Sequence, residues 1–143
     1  MKAFKNIKLI LIALIAFSCQ NTVKGQIPNA VKQAFEAKYP NENNPDWEVD
    51  ANGNYEAQFK QNGEKYRADF SPSGNWIETE SSIKKDDLPK AIRDIIKKEY
   101  GSEDITEVEH VDSASKGEFF DVEFKQKGKN MDVEFRANGT IIN

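Results

Sequence analysis

Only one cysteine and one histidine occur in 143 residues, Cys19 and His110. Beyond residue 19 the chain therefore holds no disulfide, no thiol nucleophile and no cysteine metal site. His110 lies on a predicted strand beside Glu109 and reads as a solvated or core-edge side chain. A histidine-based metal site needs partners that this chain lacks. No Gly-x-Ser-x-Gly elbow is present, and the glycines sit singly at turns rather than in a phosphate-binding loop. No catalytic residue, metal or cofactor is expected. Long apolar runs are missing too. The longest, Leu9–Phe17, falls well short of the ~20 residues that span a bilayer.

That run follows Lys2, Lys5 and Lys8 and has the layout of a secretory leader over residues 1–25. Two cleavage points compete. Ala16-Phe17-Ser18-Cys19 resembles a degenerate bacterial lipobox, which would make Cys19 the lipidated mature N-terminus. Ordinary cleavage after Val23-Lys24-Gly25 is the rival. Removal of residues 1–19 takes those three lysines from the 20 basic residues and leaves 17 against 24 acids, a net charge near −7. Such a chain should repel nucleic acid and anionic lipid. The expected location is the periplasm or cell envelope, with a lipid anchor if Cys19 is modified.

What the mature chain does have is a duplication. Ile27-Pro28-Asn29-Ala30-Val31 recurs 61 positions on as Leu88-Pro89-Lys90-Ala91-Ile92. Phe59-Lys60-Gln61 with Gly63 recurs 65 positions on as Phe124-Lys125-Gln126 with Gly128. Phe70 and Gly74 match Phe135 and Gly139. The change of offset places four extra residues in the second copy between His110 and Phe120, with Ser113–Gly117 reading as a longer loop. Each copy must be one structural unit, residues 26–81 and 82–143. A unit of that size is marginal alone, so the two should share a sheet or a core.

Each copy opens with a helix. Ile27, Ala30, Val31, Ala34, Phe35 and Tyr39 recur at helical spacing, as do Leu88, Ala91, Ile92, Ile95, Ile96 and Tyr100. Pro28 and Pro89 suit a helix start. Pro40 stops the first helix, and Gly101 reads as a left-handed cap for the second. Period-two alternation follows. An Asn62-Gly63 turn would set Phe59 opposite Tyr66, Ala57 opposite Ala68 and Tyr55 opposite Phe70. Around Lys127-Gly128 the same arithmetic opposes Phe124 to Met131, Val122 to Val133 and Phe120 to Phe135. The fold class is thus α+β in two layers: a tandem repeat of a helix and three to four antiparallel strands, both helices on one sheet face.

Ile27-Pro28, Tyr39-Pro40, Phe70 with Gly74, Leu88-Pro89 and Phe135 with Gly139, in this order, resemble the PepSY-like family, described as similar to beta-lactamase-inhibitor proteins. The resemblance runs from about Ile27 to Asn143, with Tyr100-Gly101 departing from the Tyr-Pro pattern. It implies a small exported bacterial protein without known enzymatic activity. In the inhibitors of that description, paired helix-plus-sheet units present a concave sheet face to the enzyme they block.

Two features carry candidate binding chemistry. Asp50-Ala51-Asn52-Gly53-Asn54 spaces oxygen ligands as a calcium loop begins, but its glycine is misplaced and its twelfth position is Gln61. An Asn-Gly turn explains it more simply. The polar sheet face says more. In the register above Glu56 opposes Asp69, Asp121 opposes Glu134 and Glu123 opposes Asp132, each like-charge pair costing roughly 0.2–1 kcal/mol. Lys60, Lys65, Arg67, Lys125 and Arg136 lie on the same face and could relieve part of that cost. Glu56, Arg67, Asp69, Asp121, Glu123, Asp132, Glu134 and Arg136 are the candidate binding residues. The function expected is a non-enzymatic binding or inhibitor-like module that meets another envelope protein. The alternative is a small-ligand or divalent-cation binder using the acidic face. No nucleic-acid partner is expected, and the oligomeric state is open.

Overall fold

The computed structural model describes residues 26–101 and 104–143; the expected leader and Cys19 lie outside them. The chain runs α1 (Asn29–Lys38), β1 (Asp46–Val49), β2 (Tyr55–Gln61), β3 (Glu64–Phe70), β4 (Trp76–Ser82), a 3-10 turn (Lys85–Asp87), α2 (Lys90–Glu99), β5 (Asp104–Ser113), β6 (Gly117–Lys125) and β7 (Asn130–Phe135). The strands form one seven-stranded antiparallel sheet in sequence order. Two helices on one face of an open sheet make the predicted α+β fold.

Local chemistry sets the elements. Pro28 and Pro89 cap the helices rather than occupy the first helical position; the Pro28 carbonyl accepts from the Lys32 N–H at 3.1 Å. Asn62 (φ 53°) and Gly63 (φ 87°) both take left-handed backbone, the two-residue turn that matches strand twist. The predicted hairpin registers hold in both copies. The second hairpin keeps its centre at Lys127-Gly128, but its paired strands stop at Lys125 and Asn130.

Gly101 corrects an expectation. Its φ is not positive, so it is no left-handed cap. A Cβ there would meet the Lys97 carbonyl oxygen at 2.6 Å, so the lack of a side chain is what the position needs. The repeated glycines 74 and 139 do combine positive φ with close approach. A Cβ on Gly74 would lie 2.6 Å from the Ala30 carbonyl oxygen, and one on Gly139 2.9 Å from Ile95 Cδ1. In each copy the turn after the last phenylalanine tucks against its helix.

The apolar core is divided. Val31 and Phe35 of α1 pack on Ala57, Phe59, Ala68 and Phe70. Leu88 and Ile92 pack with Val108, Val122, Phe124, Val133 and Phe135. Between the clusters, on the same face, β4 and β5 oppose Ser81 to His110 and Thr79 to Asp112. The copies share a sheet, not a core. Trp76 packs on the first cluster and its indole N–H donates to Thr79 Oγ1 at 2.9 Å, while Tyr39 hydrogen-bonds the same hydroxyl.

The four extra residues do not lengthen a loop. The second copy continues its ladder past His110–Phe120 through Val111–Phe119, Asp112–Glu118 and Ser113–Gly117, then turns through 114–116. Three of the five rungs to β4 also lie here: Val111, Asp112 and Ser113 pair with Glu80, Thr79 and Glu78. The insertion builds much of the seam between copies.

Candidate functional site

The sheet face away from the helices is the candidate site, and strand parity decides which side chains it carries. At one end, Glu48, Glu56, Asp69 and Glu78 form a row across β1–β4, each opposite the next. At the other end, Glu109, Asp121 and Glu134 form a row across β5–β7, with Glu107, Glu123 and Asp132 beside it. Every directly opposed pair in these rows is acid on acid. Between them lie Arg67, Glu80, Val111 and Phe119, with Val111 and Phe119 buried although they belong to neither core cluster.

Arg67 holds the middle. Its guanidinium pairs with Glu80 and reaches Glu56 at 3.8 Å and Glu109 at 3.7 Å, joining β2, β3, β4 and β5. A shallow cavity of about 490 Å³ opens beside it, with Glu80, Glu107, Glu109, Lys60 and Lys65 in its wall. Lys60 and Lys65 oppose one another, so they form a like-charged pair themselves.

Two carboxyls are held in a disfavoured state. Asp69 is pushed up to about 7, first by burial and then by Glu56, with Arg67 pulling the other way and Glu78 adding a smaller push. Asp121 is pushed up to about 6 by burial and by Asp132 and Glu134, with the Val122 N–H and Lys116 pulling the other way. One buried oxygen of each, Oδ1, has no hydrogen-bond partner. Burial followed by neighbouring acids also raises Glu109, despite Arg67, and burial with Glu123 raises Asp132. Charge is removed from water here without enough compensation.

Of the residues expected from sequence, Glu56, Arg67, Asp69, Asp121, Glu123, Asp132 and Glu134 share this face. Arg136 does not join the rows: it follows the end of β7, and its guanidinium donates to the Glu118 carbonyl at 2.6 Å. Relief by Lys60, Lys65 and Lys125 is not seen among the described ion pairs; Lys116 instead pairs with Glu134 at 2.6 Å. Glu48, Glu78, Glu80, Glu107 and Lys116 were missed, as was the place of Glu109 in a row. The alternation Glu78-Thr79-Glu80 and Glu107-Val108-Glu109 is the signal that could have found four of them. The β4–β5 pairing that aligns them has no tight turn to announce it.

The calcium-loop pattern resolves into a turn. The Asp50 carboxylate accepts from the Asn52 and Asn54 backbone N–H groups at 2.7 and 2.8 Å and from Asn54 Nδ2 at 3.0 Å. Among the described residues no group of three or more His, Cys, Asp or Glu is placed to hold a metal ion. No helix among them is long and apolar enough to cross a membrane.

The family described as beta-lactamase-inhibitor-like, PepSY-like matches residues 20–64 and 53–143. Solved structures share the fold. A BLIP-like protein from Bacteroides fragilis is 23% identical, with a TM-score of 0.73 over 85% of this chain and 87% of its own. A candidate periplasmic protein from Bacteroides eggerthii is 20% identical, with a TM-score of 0.73 over 83% and 88%. A Bacteroides ovatus protein from a domain family of unknown function gives 20% and 0.74 over 83% and 86%. No curated protein matches the sequence. The chain belongs to the PepSY-like family.

Proposed function

We propose that this PepSY-like protein is an exported, non-enzymatic binding module that meets another envelope protein through its open sheet face. The observation that supports it is the set of acid-on-acid rows across both copies, where burial and mutual repulsion raise Asp69 and Asp121. Solubility needs dispersed charge, not charge set directly opposite like charge at a cost to the fold. A partner that brings cations to these rows recovers that cost on binding, which gives steering and specificity. The inhibitor-like form of the reading draws on the family description and the BLIP-like neighbour. Export, and lipidation at Cys19 if cleavage falls there, belong to the same proposal; the mass of the processed chain tests both.

The binding test uses Glu123→Gln with Asp132→Asn, a pair opposed across β6 and β7. Envelope proteins retained on the immobilised wild-type chain should elute with salt and be retained more weakly by the double variant. The free variant should gain a few tenths to about 1 kcal/mol. Unchanged capture by a variant that is no more stable would reduce this face to a solvated surface. Direct titration into beta-lactamase assays tests the inhibitor form separately.

A further inference from the structure

The two edges of the sheet are finished differently. Along β7 the last residues cover the edge: Ile141 bridges Phe135, the Ile142 N–H donates to the Glu134 carbonyl, and the Asn143 side chain bonds Glu134 N–H and Asp132 carbonyl. Along β1 no described strand or tail pairs with the outer side. The common protections of an edge, an inserted proline, a bulge or a lysine, are missing from Asp46-Trp47-Glu48-Val49. Its protections are its shortness and the acids Asp46 and Glu48, which repel an acidic strand but not a basic one.

The ladder tells which groups face out. The Asp50 N–H donates to the Asn54 carbonyl at 3.0 Å, so Asp50 is in a hydrogen-bonded pair with β2. Such pairs recur every second residue, which turns Glu48 and Asp46 inward and leaves the N–H and C=O of Trp47 and Val49 pointing outward. Their side chains lie on the helix side of the sheet, the side of the apolar residues Tyr55 and Ala57 they oppose. Val49 is 38% exposed, one of two large hydrophobics exposed among the described residues.

Beside this edge opens a second cavity of about 450 Å³, with Ile27, Phe35, Pro45 and Trp47 in its wall. Its lining comes from α1, the residues just before it, the segment leading into β1 and Trp47 of β1 itself; none comes from the other strands. Glu36 and Glu42 stand at its wall against Lys32, and Glu48 lies on the opposite side of β1.

We propose that the outer edge of β1 accepts an extended segment of a partner protein as an eighth strand. The segment alternates apolar and basic residues. Its apolar side chains fall opposite Trp47 and Val49, the first beside the cavity, and its lysines or arginines fall opposite Glu48. Main-chain bonds to Trp47 and Val49 supply affinity, and the cavity and the acid supply selectivity. This surface shares Glu48 with the charged face, but its main-chain bonds lie on the outer edge of β1, which the charged-face reading does not use.

The test titrates the isotope-labelled exported chain with an acetylated Lys-Val-Lys-Val-Lys peptide. Saturable shifts should centre on the Trp47 and Val49 amides. A peptide methylated on alternate backbone nitrogens, or one with glutamate for lysine, should not bind. Val49→Pro removes an outward N–H that no ladder bond uses and should weaken binding about tenfold. Glu48→Lys, which leaves the backbone intact, should weaken it at least about fivefold. Wild-type affinity in both variants, or shifts centred on Arg67 and Asp121, overturns the proposal. Two further results would also overturn it by naming another occupant. One is slow hydrogen exchange at Trp47 and Val49 in the free monomer, which means the chain's own residues fill the edge. The other is a free protein that elutes as a dimer unless Val49 is proline.

Discussion

In the first copy the strand carrying Trp47 ends at Val49 and turns back through residues 50–54, capped by Asp50. In the second copy the equivalent strand runs on past His110 to Ser113 before it turns. The first hairpin is left with an open outer edge, and the second gains the rungs that pair with β4. The hairpins also differ in charge at two repeated rungs: Lys60 opposes Lys65 where Lys125 opposes Asn130, and the second difference is larger. Gln58 opposes Arg67 in the first copy, and Glu123 opposes Asp132 in the second. Duplication kept the apolar positions that make each unit fold. The differences fall where one unit meets the other or meets solvent, which is where a duplicated module can acquire a role.

The largest test of this comparison removes the extension. Replacing residues 111–119 with the Asp50–Asn54 turn deletes the seam rungs at Val111, Asp112 and Ser113 together with buried Val111 and Phe119. Losing those two side chains should cost about 5 kcal/mol or more, comparable with the whole stability of a small domain. The single cooperative melt should vanish from calorimetry. Residues 26–81 alone should likewise melt without a sharp transition. A variant that still unfolds as one unit near the wild-type temperature would mean the seam lies elsewhere.

Next come the matched core rings. Phe124 is fully buried and stacks on Tyr100 at 4.7 Å, while Phe59 is 8% exposed and contacts Phe35 and Tyr39. Either changed to alanine should lose about 3–5 kcal/mol in denaturant titration, with Phe124 the larger. Lys60→Ala and Lys125→Ala should lose less than ~0.5 kcal/mol. Equal losses at neighbouring positions would contradict the observed parity.

Why was so much of each copy legible, and the join not? Within a hairpin the turn fixes the register and alternation fixes the face, so Asn62-Gly63 and Phe59 sufficed for all the pairs of β2 and β3. The β4–β5 contact joins strands separated by a helix, and no local signal fixes its register. Ser113-Ala114-Ser115-Lys116-Gly117 has the composition of a loop, but pairing of its ends with β4 and β6 makes it the close of a ladder. Glycine identity likewise gave no way to tell a left-handed backbone from a missing Cβ, as at Gly101. The hairpin half of the acid rows was readable for the same reason as the core. Glu78, Glu80, Glu107 and Glu109 depended on the unread seam.

The repeated glycines offer a smaller and sharper contrast. Alanine at 74 would strike backbone, the Ala30 carbonyl, whereas alanine at 139 would first strike the movable end of Ile95. Both also carry the cost of positive φ, about 1 kcal/mol. Gly74→Ala should therefore cost about 2–4 kcal/mol and Gly139→Ala about 1–2 kcal/mol. The reverse order in thermal denaturation would mean that α1, not α2, yields more easily to its turn.

The smallest expected effect is electrostatic and also separates the copies. Burial and neighbouring acids raise Asp69 to about 7 and Asp121 to about 6. Each group then binds its proton more tightly folded than unfolded, where an aspartate titrates near 3.9. The folded state holds more protons between those limits, so stability falls as pH rises through the interval. The loss should run from about pH 4 to about 7 for Asp69 and to about 6 for Asp121, and then level off. Both side chains keep partial contact with water, so screening limits each contribution to about 1 kcal/mol. Asp69→Asn and Asp121→Asn should match the wild type near pH 3.5 and exceed it at pH 8, with the Asp69 gap still widening above pH 6. If the gap were constant with pH, the carboxyls would be ordinary surface acids and the asparagines would act through packing. If both gaps stopped widening at one pH, the two rows would be equivalent, and the charge difference between the copies would have no thermodynamic counterpart.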